Sequence, residues 1–130
     1  MANELILIVE DDEESRMLER DVLTFSGYRV IEAETAEAAL KLAREAHPAL
    51  ILMDIRLPGM DGMAALRELR RDLATRNVPV IAVTASAMNR DRRQIVEAGF
   101  DGYHGKPIDV TELIDSIRAT LARAADANVE

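Results

Sequence analysis

Cysteine and tryptophan are absent from this 130-residue chain, and phenylalanine and tyrosine together make up only 3%. Without cysteine there is no disulfide, no thiol nucleophile and no thiolate zinc site. Four aromatic rings are too few to frame an isoalloxazine, and no Gly/Ser-rich phosphate loop follows the first apolar run, which argues against a flavodoxin-type cofactor protein. No apolar run approaches the ~20 residues a membrane span needs, so no membrane insertion is expected. The N-terminus lacks a basic stretch leading into an apolar one, so no signal peptide is read and a cytoplasmic location is expected. Basic residues are outnumbered 24 to 16, giving a net charge of −8. That balance opposes direct nucleic-acid binding, which needs a basic face. Two arginine clusters, Arg67/Arg70/Arg71 and Arg90/Arg92/Arg93, read as solvated helix surface. His47 and His104 have no companions at metal-ligand spacing, and His104 reads as an exposed polar residue. With only six glycines and four prolines, no linker, repeat or low-complexity segment stands out. One domain over residues 1–124 is expected, with a short flexible tail at 125–130 and no effector domain.

What is present is an alternation of apolar runs and helical patterns, the signature of βαβ units and a parallel sheet. Apolar residues make up 48% of the chain, charged ones 31%. Strands are expected at Leu5–Val9, Tyr28–Ala33, Leu50–Met53, Val80–Val83 and Gly102–His104. Near-continuous Val/Ile/Leu runs suit strands covered on both faces. Five helices fall between and after them. The first, Glu13 to Ser26, offers Met17, Leu18, Val22 and Phe25 as its inward stripe. The second follows Thr35 as N-cap and turns Ala39, Leu40 and Ala43 inward. The third carries Met63, Leu66, Leu69 and Leu73, and the fourth runs from about Met88 to Ala98, closed by Gly99. The fifth is capped by Asp109, with Glu112 reaching back in a capping box and Leu113, Ile117 and Leu121 as its stripe.

Chemistry gathers at the strand ends. Glu10 and Asp11 follow the first run, Asp54 the third, Thr84 the fourth, and Lys106-Pro107 the fifth. In an open α/β sheet, ligands bind beyond the carboxyl ends of the strands, where the strand order reverses. If the first and third strands are neighbours, three carboxylates converge there, and clustered carboxylates resist ionising together. Such a cluster points to a hard, oxygen-seeking cation such as Mg²⁺. A single Asp can attack phosphorus, while Thr and Lys can hold the transferred oxygens.

The segments Leu7-Ile8-Val9-Glu10-Asp11-Asp12, Met53-Asp54-Ile55-Arg56-Leu57-Pro58-Gly59-Met60-Asp61-Gly62, Val83-Thr84-Ala85 and Tyr103-His104-Gly105-Lys106-Pro107-Ile108 carry a resemblance. Over residues 4–123 the chain resembles the receiver domains of response regulators, and in particular single-domain, chemotaxis-regulator-like receivers of two-component signalling. The resemblance implies a flavodoxin-like, doubly wound, five-stranded parallel sheet in the order 2-1-3-4-5 with five helices. It implies Asp54 as phosphoacceptor and Mg²⁺ bound by Asp11, Asp54, Glu10 through water and the Arg56 backbone carbonyl. Asp12 is read as capping the first helix or supporting the cluster. Lys106, before an expected cis bond to Pro107, would pair with Asp54 and then with the phosphoryl oxygens. Thr84 and the backbone N–H of Ala85 would bind the phosphoryl group, and Tyr103 would switch with Thr84. Arg56 and Ser86 occupy the positions that tune phosphate lifetime.

The partners so implied are a sensor histidine kinase or histidine phosphotransfer protein as donor, and a downstream protein target that the sequence does not name. The face built by the fourth helix, fifth strand and fifth helix would change on phosphorylation, and a phosphorylation-dependent dimer is compatible with it. Single-domain receivers resembling this one, with Lys-Pro-Ile where others have Lys-Pro-Phe, include cell-cycle and differentiation regulators. Two rival readings differ in class. A phosphorylation-independent binding module would not need Asp54, Asp11, Lys106 and Thr84 together. A phosphohydrolase working through aspartyl-phosphate usually carries a second Asp two residues after the nucleophile, where this chain has Arg56.

Overall fold

In the computed structural model, residues 3–85 and 89–127 are described. Strands and helices alternate: β1 (Leu5–Val9), α1 (Glu13–Phe25), β2 (Arg29–Ala33), α2 (Ala36–Ala46), β3 (Leu50–Asp54), α3 (Gly62–Arg71), β4 (Val80–Thr84), α4 (Asn89–Ala98), β5 (Gly102–Gly105) and α5 (Val110–Ala127). The strands form one parallel sheet in the order β2-β1-β3-β4-β5. From β1 the chain first adds β2 on one side and then crosses to add β3 on the other, so the order reverses between β1 and β3. Register pairs Val9 with Met53, Asp54 with Val83 and Thr84 with Gly105, which brings the carboxyl ends of the four strands to one edge.

Alternation along each strand divides the apolar residues between two faces. Leu7, Val9, Ile51, Met53, Val80 and Ala82 point to the side covered by α2, α3 and α4. Ile6, Ile8, Leu50, Leu52, Ile81 and Val83 point to the side covered by α1 and α5, meeting Leu23, Leu113, Ile114 and Ile117. On the first side α2 presents Ala36, Ala39 and Ala43, all nearly inaccessible, and their small side chains let that helix lie close to the sheet. Local signals set the helix starts. Asp12, Thr35 and Asp61 each accept a hydrogen bond from the backbone N–H three residues on, satisfying donors that a helix start leaves unpaired. Asp109 does the same for Glu112 N at 3.0 Å, but the reciprocal half of the expected capping box does not form among the described residues. His47 ends α2 with φ 51°, a left-handed cap, and Gly27 and Gly99 turn at φ 96° and 106°.

Several sequence expectations are corrected. Met17, Leu18 and Phe25 face outward, Phe25 at 94% exposure, while Glu19 and Leu23 are buried. The phase of α1 against the sheet puts residues 19 and 23, one turn apart, on the core side. Leu73 lies beyond the end of α3 and is 81% exposed. β2 begins at Arg29 rather than Tyr28. β3, β4 and β5 each run one residue longer than expected, because Asp54 and Thr84 still pair with their neighbours. The helical backbone of α5 continues through 125–127, where alanine-rich sequence favours helix. α4 begins at Asn89; Met88, expected as its start, lies outside the described residues.

Candidate functional site

The acid site stands where the strand order reverses. Val9 delivers Glu10 and Asp11, and the last residue of β3 is Asp54 itself. Glu10 and Asp54 are almost fully buried, at 1% and 6% exposure, whereas Asp11 is open to solvent. One carboxylate oxygen from each of the three lies within 4.8 Å of the others. All three donors are hard oxygens on flexible carboxylates, a set that suits Mg²⁺ or a similar cation.

Fixed contacts hold this cluster. Glu10 donates its N–H to Ala33 O at 3.0 Å, and its carbonyl accepts from Arg16 at 3.1 Å. Its Oε2 accepts from Asp12 N at 3.1 Å, so Asp12 both supports the cluster and caps α1. Asp54 Oδ1 accepts from Arg56 N at 3.1 Å. Below it, Gly62 donates to Ile55 O at 2.8 Å, and a Cβ on Gly62 would lie 2.6 Å from Asp54 O. Only glycine permits this approach of α3 to the end of β3. Sequence reasoning missed the role of Gly62, although its position one after the Asp61 cap was a usable signal.

Lys106 reaches the acids from the fifth strand. Its N–H donates to Thr84 O at 2.9 Å, and its peptide bond to Pro107 is cis. Nζ lies 2.6 Å from Glu10 Oε1 and 3.3 Å from Asp54 Oδ2. Burial pushes Glu10 up to about 7, helped by Asp54 and opposed by the Lys106 bond. Burial pulls Lys106 down, but the Glu10 hydrogen bond and the Asp54 charge outweigh it and the net shift is upward. One half-buried cation is thus shared by two buried carboxylates that repel each other. The ammonium thus lies within reach of both Glu10 and Asp54.

The remaining expected residues lie around this centre. Thr84 is buried at the end of β4, and Ala85 is exposed just beyond it. Arg56 carries an exposed side chain beside Asp54. Ser86 lies outside the described residues. Tyr103, partly buried, packs against the core on the α2–α3–α4 side, with the Arg92 guanidinium 5.9 Å from its ring centroid. His104 is a correction. Its position on β5 turns it to the α5 side, half-buried, and its Nε2 is shielded without a partner. Burial lowers its pKa, against the opposing charges of Glu112 and Asp109. Arg70 is a second correction: it donates to Val78 O at 2.6 Å and pairs with Asp101 at 3.4 Å, tying α3 to the start of β4.

Fold, reversal point and acid cluster together define a receiver, and the sequence matches the response regulator receiver domain family over residues 6–118. The chain belongs to that family. Its curated relatives include the polar-differentiation response regulator DivK of Brucella ovis, 44% identical over 119 residues that cover 92% of this chain and 97% of the relative. Among solved structures, the receiver domain of a sensor histidine kinase from Pseudomonas aeruginosa superposes with a TM-score of 0.86 at 35% identity, covering 92% of this chain and 98% of that one. That structure holds a magnesium ion coordinated in its active-site cleft. A CheY-like receiver domain protein of Methanospirillum hungatei gives a TM-score of 0.88 at 29% identity, covering 97% and 99%. The protein is thus a response regulator receiver of two-component signalling. No helix among its described residues is long and apolar enough to cross a membrane.

Proposed function

We propose that Asp54 receives a phosphoryl group from a phosphohistidine, on a sensor histidine kinase or a histidine phosphotransfer protein. The observation that carries this reading is the geometry of Asp54: a buried carboxylate at the strand-order reversal, oriented by Arg56 N and paired with Lys106 at 3.3 Å. In the reaction an Asp54 oxygen bonds to phosphorus while the phosphorus–imidazole bond breaks. The bonding pair returns to the imidazole nitrogen, and Lys106 follows the charge onto the phosphoryl oxygens. Such transfer depends mainly on positioning and charge neutralisation. Asp11, Asp54, Glu10 through water and the Arg56 carbonyl would hold Mg²⁺, which when bound would offset the negative charge brought in by phosphate.

The phosphorylated state is read out through Thr84 and Tyr103. Thr84 stands at the end of the strand next to Asp54 and, with the Ala85 N–H, would take up a phosphoryl oxygen. Tyr103, one strand further out, would follow. The face of α4, β5 and α5 then binds a downstream protein, or a second copy of the chain, with altered affinity. That is a population shift, since phosphate favours one of two arrangements. Hydrolysis reverses it when water attacks phosphorus and the Asp54 carboxylate leaves. Arg56, exposed beside Asp54, shields the phosphoryl group from that water, and Ser86 is the second position read as setting its lifetime.

Incubation with Mg²⁺ and acetyl phosphate tests the reading by intact mass. Wild type should gain about 80 Da, lost on mild base as an acyl phosphate is, and Asp54→Asn should gain nothing. A folded wild type that binds Mg²⁺ but takes no adduct would favour the phosphorylation-independent module. Turnover of a generic phosphate ester would favour the phosphohydrolase.

A further inference from the structure

Beside the acid site, between α1 and the connection from β5 to α5, lies a cleft of about 320 Å³. Leu18 from α1, and Pro107 and Ile108 from the connection, give it an apolar wall, with Ser15 beside them. Asp12 and Glu14 stand at its rim, and Glu19 contributes to its lining although only 3% of that residue is exposed. Glu19 makes no hydrogen bond or ion pair among the described residues, and its oxygens are not among the fully enclosed polar atoms, so the carboxyl opens on the cleft. Lys106 also lines the cleft, but its charge is engaged by Glu10 and Asp54. A carboxyl in that setting is unusual, because buried acids are normally paired. Departures from local rules concentrate at functional sites.

We propose that this cleft binds a short alkylammonium group, its cationic head paired with Glu19 and its carbon chain laid against Leu18, Pro107 and Ile108. The volume falls within the ~300–1,000 Å³ of small-molecule sites, which are mostly apolar with a few placed polar groups. Three acids, Asp12, Glu14 and Glu19, line the cleft against one cation, Lys106, already held by Glu10 and Asp54, so charge complementarity selects a cation. Burial pushes the Glu19 carboxyl up to about 8, with Glu10 and Asp54 adding to the rise and Lys106 opposing it. An incoming ammonium would replace the proton held there. The site is separate from Asp54, and its occupancy requires no phosphoryl chemistry.

The test is a titration of ¹⁵N-labelled protein followed by amide NMR, with Mg²⁺ in excess to keep amines off the acid cluster. Pentylammonium should give saturable shifts centred on Leu18, Glu19 and Ile108. Its neutral counterpart 1-pentanol should bind about tenfold more weakly, the loss expected when a hydrogen bond to a charged group is removed. Glu19→Gln should weaken the amine to a similar degree while still taking the phosphoryl adduct from acetyl phosphate, which separates this proposal from the phosphoacceptor reading. A lysine blocked at both ends distinguishes the source. If it binds, a side chain from a docked protein can occupy the cleft; if only the free amine binds, the occupant is a small molecule. Both results uphold the site. Equal affinity for amine and alcohol in wild type, shifts confined to Glu10 and Asp11, or no saturable shift would overturn it, and none of these depends on a variant folding.

Discussion

The two faces of the sheet are built by different rules. Against α2 and α3 the buried packing is apolar apart from the satisfied hydroxyl of Thr75, with Leu66 and Leu69 nearly inaccessible and three alanines admitting α2 closely. Against α1 and α5 the packing includes a buried carboxyl, Glu19, while Leu18 and Phe25 on the same helix turn to solvent. Helices that bury no charge against the sheet mark a face whose work is to hold it. The α1 side instead admits a carboxyl, and that carboxyl lines one cleft together with Lys106. Both faces end at the same edge, so the rigid one fixes where Asp54 sits and the irregular one borders what can approach it.

The contrast is open to test from both sides. Leu66→Ala should cost about 2–5 kcal/mol, the usual penalty for truncating a fully buried leucine, measured by urea denaturation; a loss below ~1 kcal/mol would mean that the apolar face is not tightly packed. On the other face, the raised Glu19 carboxyl stays protonated in the folded chain while it ionises in the unfolded one. An acid raised on folding lowers stability as pH climbs from its unfolded value, 4.5, towards about 8. Glu19→Gln should remove that penalty, so that variant and wild type diverge by on the order of 3 kcal/mol between about pH 5 and 8. Glu10, also raised, contributes to both proteins and cancels in the comparison. Parallel stability curves would show that Glu19 is charged and paired after all.

Where the faces meet, Lys106→Ala should slow phosphorylation of Asp54 by about a hundredfold, the scale of removing one preorganised charge-stabilising donor, read from adduct growth by mass. An unchanged rate would remove Lys106 from the chemistry. The smallest effect belongs to Phe25→Ser. At 94% exposure this ring should change stability by less than ~0.5 kcal/mol.

Much of this was legible in the residues. Runs such as Leu5–Val9 and Leu50–Met53 announced buried strands because a two-sided sheet demands continuous apolar sequence. The acids and Lys106 stood out because charge ended apolar runs. What could not be read was rotation and proximity. The pattern Met17, Leu18, Val22, Phe25 has a helical period, yet period alone does not say which side faces the sheet, and Glu19 and Leu23 took the inner positions. Gly62 lies under Asp54 through a contact between segments, and His104 is half-buried because β5 alternates and α5 covers it, neither being a property of neighbouring sequence. Thr84 and Tyr103 could be placed on their strands, whereas the switching roles proposed for them rest on family resemblance alone.

One carboxylate among the three, Asp54, is expected to take the phosphate. Reducing the phosphorylated chain with borohydride converts an acyl phosphate on aspartate to homoserine, which peptide sequencing by mass can locate. Homoserine is expected at position 54, with Asp11 unmodified and Glu10 intact. Reduction at Asp11 or Glu10 instead, with Asp54 unmodified, would contradict it.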